Sequence, residues 1–217
     1  MKITILTVGS RGDVQPYVAL GKGLQRAGHD VTLASHNAFR EFVTRSGLQF
    51  WPTAGNPMEA IQAEAGRNWL ESSQNPLTFV RRMFAVGKPM MWDILDAWTE
   101  ACADTELIIY PILASLGAQS LGEKFGIPVC AAYLQHVHRS AHYAWSLAQP
   151  HIRMGPIKIE GALYNQTTHF VAEQVFWWML RPLVNQWRVK TMGLPKYPVS
   201  NEVAAWVRRR PLCLYGL

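Results

Sequence analysis

The chain opens with a strand, a glycine-broken loop, a helix and a second strand in immediate succession, an order that few folds can accept. Residues 2–8 read Lys-Ile-Thr-Ile-Leu-Thr-Val, a β-branched and mostly apolar run of the kind buried on both faces in a parallel sheet. Gly9-Ser10-Arg11-Gly12-Asp13 turns the chain, and Pro16 leads into a predicted helix over residues 17–27, where Val18, Leu20, Leu24 and Ala27 have helical spacing. Gly28 stops it, and residues 30–35 form the second strand. A strand, helix and strand joined this tightly make a βαβ unit, whose crossover is right-handed in nearly all sheets.

The same rhythm continues. Residues 38–45 read as a short helix with Phe39, Phe42 and Val43 facing inward, and Gln49–Thr53 as a third strand. Helical patterns follow at residues 59–65 and 76–103, the second expected to divide near Gly87 to Pro89. Leu107–Tyr110 is a fourth strand, residues 113–125 a helix ended by Gly126, and Val129–Tyr133 a fifth strand. Residues 160–190 carry the longest helical pattern, with Leu163, Phe170, Trp177 and Val184 recurring every seven. Pro182 should kink or split that helix, and residues 212–215 make a last apolar strand. The expected class is α/β, a Rossmann-like parallel sheet flanked by helices.

Composition agrees with a large core. Of 217 residues, 49% are apolar and only 17% charged, below the roughly 25% of an average globular chain, so disorder is excluded. Charged or amide side chains interrupt every long apolar run before the roughly 18–20 residues a membrane span needs, and the start lacks the form of a signal peptide. Cys102, Cys130 and Cys213 are far apart, odd in number and set among apolar residues, as buried thiols in a reducing compartment are. The expected location is cytoplasmic. The net charge of +6 falls entirely in the last third, where residues 151–217 hold nine basic against three acidic side chains. An excess of that kind suits anionic lipid, phosphates, nucleic acid or an acidic partner domain. Trp177, Trp178 and Trp187 accompany it, so peripheral contact with an inner membrane face is an expectation; core packing is the other reading of those rings. The Arg208-Arg209-Arg210 run reads as a solvated turn or a contact to anionic lipid.

A glycine loop between a first strand and its helix exposes backbone N–H groups beside a positive helix end, where phosphates bind in doubly wound folds. A dinucleotide site would add a third glycine and an acidic residue after the second strand, and the strand here ends Ala34-Ser35-His36. A dehydrogenase is thereby disfavoured. Asp13 either takes a proton from a substrate hydroxyl or caps the helix behind it, and Arg11 either offsets phosphate charge or makes a surface ion pair. Gln135, His136 and His138 follow the fifth strand, and with His142 they line a pocket at the carboxyl end of the sheet or form a plain polar loop. No cysteine or carboxylate stands among these histidines, and no metal site is assigned.

Gly9-Ser10-Arg11-Gly12-Asp13-Val14-Gln15-Pro16, with Ala19-Leu20-Gly21 and Ala27-Gly28-His29-Asp30-Val31, resembles the start of the GT-B glycosyltransferases grouped with the sterol glucosyltransferases and the glycopeptide-antibiotic glycosyltransferases, the family 28 N-terminal type. The likeness continues in Leu107 to Pro111, Glu123 to Pro128, Asn185-Gln186-Trp187-Arg188 and Gly193-Leu194-Pro195. The resemblance implies that residues 1–217 are an acceptor-binding lobe. It also implies that a C-terminal donor-binding lobe is absent from this chain, which contains no Gly-Gly pair of the donor-loop type. It implies an inverting hexosyltransferase with Asp13 as base, and Gly9, Ser10, Arg11 and Gly12 as the loop near the donor phosphates. Gln135, His136 and His138 would contact an apolar acceptor such as a sterol, lipid or aglycone. A nucleotide sugar, expected to be UDP-linked, would be co-substrate, with no further cofactor and no nucleic acid partner. A non-catalytic module binding a lipid or partner protein in the same groove is the alternative.

Overall fold

The computed structural model describes residues 1–55, 76–135, 137–146, 148–154, 157–200 and 212–216. Its centre is β1 (Lys2–Leu6), buried at every position after Lys2. It runs parallel to β2 (Asp30–His36) on one side and to β4 (Leu107–Tyr110) on the other, with Ile5 opposite both Leu33 and Ile109. Outside β2 lies β3 (Gln49–Thr53), and outside β4 lie β5 (Val129–Tyr133) and β8 (Cys213–Tyr215). The order β3-β2-β1-β4-β5-β8, parallel at every pairing, is the doubly wound sheet expected from the sequence. Successive connections run outward from β1 in both directions, which leaves a crevice between the carboxyl ends of β1 and β4.

Alternate residues of each strand feed two separate layers. Ile3, Ile5, Val31, Leu33, Ile109 and Cys130 pack under Val14, Tyr17 and Val18 of α1 (Arg11–Arg26) and Val43 of α2 (Arg40–Arg45). On the opposite face, Leu6, Ala34, Ile108, Tyr110, Ala131 and Tyr133 meet Ile94, Leu95 and Trp98 of α3 (Pro76–Ala101), together with Ala118 and Leu121 of α4 (Ser115–Phe125). Each buried Val, Leu or Ile among them contributes about 1.5–3 kcal/mol. The two helices of that layer approach closely at Gly117, where a Cβ would stand 2.9 Å from the Leu95 side chain.

Four elements depart from the sequence expectation. Helix α1 begins at Arg11, six residues early, because Ser10 and Asp13 cap it; Pro16 lies within it. Helix α3 is continuous through Gly87 and Pro89, as burial of Ile94, Leu95 and Trp98 outweighs the bond that Pro89 cannot donate. Helix α5 (Ala162–Trp187) is likewise not split at Pro182 and passes into a π-turn over Arg188–Met192. Its seven-residue repeat does not stay on one face: Trp177 and Val184 are buried, Leu163 and Phe170 exposed. A straight helix drifts about 20° per heptad, so a strict repeat leaves the core over three heptads. The fourth difference is an added hairpin, β6 (Ile152–Met154) with β7 (Ile157–Ile159).

The Asn185-Gln186-Trp187-Arg188 block is a strut. Asn185 exchanges hydrogen bonds with the Tyr197 backbone, and Trp187 Nε1 donates to Asp96 Oδ1 at 3.1 Å. Arg188, buried, donates to Glu123, to Ser120 Oγ and to the Pro195 carbonyl, with its guanidinium over the Tyr197 ring. Of the three late tryptophans expected at a membrane, Trp177 and Trp187 are therefore core; only Trp178 is exposed. Cys102 and Cys130 are buried free thiols, and burial pushes the Cys102 thiol up to about 12. Residues 59–65 and Arg208 to Arg210 lie outside the described residues.

Candidate active site

The loop after β1 is built around one carboxylate. Asp13 Oδ2 accepts from the Ser10 N–H at 2.7 Å and from the Ser10 hydroxyl at 2.9 Å, which closes the first turn of α1. Gly9, at φ +123°, is required there: a Cβ would lie 2.4 Å from Asp13 Oδ2. The cap consumes one oxygen of Asp13, and Oδ1 has no hydrogen bond among the described residues. A half-buried carboxylate with one oxygen fixed and the other open can cap the helix and accept a proton at once.

Loop amides divide in the same way. The Gly9 N–H is directed at His36 Nε2 at 3.4 Å and the Ser10 N–H at Asp13, so these two act within the protein. The N–H groups of Arg11 and Gly12 stand at the exposed first turn, where a helix offers no internal partner. Arg11 makes no ion pair among the described residues; it donates to Gln15 and lies over the Phe42 ring at 5.1 Å. Its cationic head is exposed beside those amides, an arrangement that favours an anion.

Across the crevice, Ile112 and Leu113 stand exposed on the turn after β4. After β5, two of the three expected contact residues part ways. Gln135 is exposed, whereas His138 turns back and bonds through Nδ1 to the Tyr215 hydroxyl, within a ring cluster that includes Tyr133. Burial holds the His138 imidazole below its ordinary range. His136 lies outside the described residues, and His142 is exposed. Among the described residues no group of three His, Cys, Asp or Glu could hold a metal ion. Tyr17 of α1 donates to the Ala132 carbonyl, and burial together with the Asp13 charge pushes its phenol up.

His36 was not singled out by the sequence. It ends β2, 1% exposed, with Nδ1 2.8 Å from the Ala54 carbonyl and Nε2 facing Gly9. The only sequence signal was a histidine closing a buried strand next to the one that bears the glycine loop. No carboxylate stands at the end of β2, where a dinucleotide ribose would need one.

Residues 3–142 match the glycosyltransferase family 28 N-terminal domain. The chain belongs to that family. Sterol 3-beta-glucosyltransferases of Debaryomyces hansenii and Candida albicans are 36% and 35% identical to it over 89% of its length. The chain spans 12% of the length of each of these relatives. Two crystal structures of a glycosyltransferase from Streptomyces sp. SF2575, one complexed with thymidine diphosphate, align with TM-scores of 0.51 and 0.53 at 18% and 16% identity. Each alignment covers 91% of this chain and 48% or 47% of the other, and establishes a common fold. Like its family's N-terminal lobes, the chain is a parallel α/β sheet flanked by helices, and among the described residues no helix is long and apolar enough to cross a membrane.

Proposed function

We propose that residues 1–217 form the acceptor-binding lobe of a nucleotide-sugar-dependent, inverting glycosyltransferase, and that a separate lobe holds the donor. The observation that carries this reading is the Asp13 carboxylate, capped through one oxygen and open at the other, beside the crevice of a family 28 N-terminal domain. The acceptor is an apolar molecule bearing a hydroxyl, a sterol above all. Its support is the name of the fungal relatives and the exposed Ile112 and Leu113 opposite the loop. The donor is a hexose on a nucleoside diphosphate, read as UDP.

In the reaction the acceptor O–H proton passes to Asp13 Oδ1 as the oxygen attacks the anomeric carbon. The bond from that carbon to the diphosphate breaks, and the diphosphate departs with the electron pair. Arg11 and the amides of Arg11 and Gly12 offset the charge that develops on it. Gln135, exposed after β5, is assigned to contact with the acceptor. Peripheral contact with an anionic membrane is assigned to the outer face of α5, where Leu163, Phe170, Val171 and Trp178 are 79%, 46%, 49% and 63% exposed. These residues share one face over about 22 Å of helix.

The test is transfer by the protein carrying both lobes, given UDP-glucose and a panel of sterols and flat aglycones. A glucoside of inverted anomeric configuration, read by NMR, is the expected product. Retention of configuration, or a protein that binds the acceptors and transfers nothing to any of them, overturns the proposal.

A further inference from the structure

We infer that His36 is a positioning residue: its imidazole fixes the Gly9 amide and, through it, the place of the Asp13 carboxylate. The inference rests on Asp13 acting as the base. The Ala54 carbonyl can only accept, so His36 Nδ1, 2.8 Å away, carries the ring proton. That leaves Nε2 as a lone pair, and the Gly9 N–H donates to it at 3.4 Å. One ring thus links the loops that follow β1 and β3, from the end of the strand between them.

The link reaches Asp13 within one peptide. Gly9 holds φ +123° with Asp13 Oδ2 in the space a Cβ would take, and the next N–H along the chain, that of Ser10, donates to the same oxygen. Displacing the Gly9 peptide moves the donor that orients the carboxylate. The ring works only when neutral, because a protonated Nε2 would face the Gly9 N–H donor to donor. Burial opposes that protonation, against the backbone of Ala54 and Gly55, which favours it. His36 touches neither substrate nor reacting atom; its effect is transmitted through the loop.

The first measurement is NMR on the chain labelled with 15N. At neutral pH the His36 ring is expected as the Nδ1–H tautomer, and on acidification the Gly9 and Ser10 amides should shift with the midpoint of that ring. The second is turnover in the protein carrying both lobes. His36→Leu should lower kcat by about 10- to 100-fold with a much smaller change in acceptor KM, and His36→Gln, whose amide can still accept from Gly9, should recover most of it. An Nε2–H tautomer, Gly9 and Ser10 amides that do not follow the ring, or wild-type kcat in a folded His36→Leu would each overturn the inference. Where His36→Leu does not fold, the wild-type titration decides. Wild-type turnover in Asp13→Asn would remove the base and leave the tautomer and amide measurements standing, so the two failures are distinguishable.

Discussion

Arg188→Ala tests whether the Asn-Gln-Trp-Arg block is a strut or part of the site. The guanidinium is 2% exposed and donates to Glu123 at 2.9 Å, to Ser120 Oγ at 3.0 Å and to the Pro195 carbonyl at 2.9 Å, with the Tyr197 ring 3.8 Å from its carbon. Removing one partner of a buried ion pair costs about 3–5 kcal/mol. Glu123 is 44% exposed and regains water, and Ser120 keeps its bond to the Leu116 carbonyl. The loss should therefore sit at the low end, about 3 kcal/mol, which lowers Tm by roughly 6–12 °C in a domain of this size. Urea and thermal denaturation by circular dichroism measure it. Arg188→Lys keeps the charge but cannot span the three acceptors, and should recover less than half. A loss under about 1 kcal/mol for Arg188→Ala would show that the clamp does not hold residues 195–197 against α4.

Gly9→Ala should destabilise the chain by about 2–4 kcal/mol in urea unfolding, from backbone strain at φ +123° and disruption of the Asp13 cap; a neutral result would contradict the loop geometry. Burial holds the His36 pKa down, so the unfolded chain binds a proton that the native chain refuses. Stability is then complete above pH ~6.5 and falls by up to about 1.4 kcal/mol per pH unit as the pH drops below it, until the native ring itself titrates. Urea midpoints between pH 7.5 and 5 check this, and His36→Gln should flatten the slope; an unchanged slope would place the proton uptake elsewhere. The chain should sediment with anionic vesicles at low salt, less so after Trp178→Ala with Leu163→Ser, and equal binding to neutral vesicles would remove the membrane contact from α5.

The sheet was legible because its signals are local. Residues 2–8, Leu107–Tyr110 and Val129–Tyr133 are apolar runs with a glycine or proline at one end, and parallel strands buried on both faces read that way. What local signals misplace is set by tertiary contact. Gly87 and Pro89 look like a break until Leu95 and Trp98 are seen in the core, and Leu163 and Phe170 look internal until the heptad drift turns them outward. At the site, Gly9 to Asp13 could be singled out because the loop is contiguous, yet the division of its amides between internal and outward roles could not. His36 is far from Gly9 in sequence and next to it only because β2 pairs with β1. Arg188 looked like part of a motif without a task, since Glu123, Ser120 and Pro195 converge on it only after α5 packs against α4.

The central claim is that Asp13 serves as base through one oxygen while it caps α1 through the other, and kcat of Asp13→Asn in the protein carrying both lobes tests it most directly. An asparagine can still accept from the Ser10 N–H, so the thermal midpoint should stay near that of the parent protein. It cannot take the acceptor's proton, so kcat should fall by about 10²- to 10⁴-fold with little change in acceptor KM. A folded Asp13→Asn protein with near-normal kcat would contradict the account and leave Asp13 a helix cap alone.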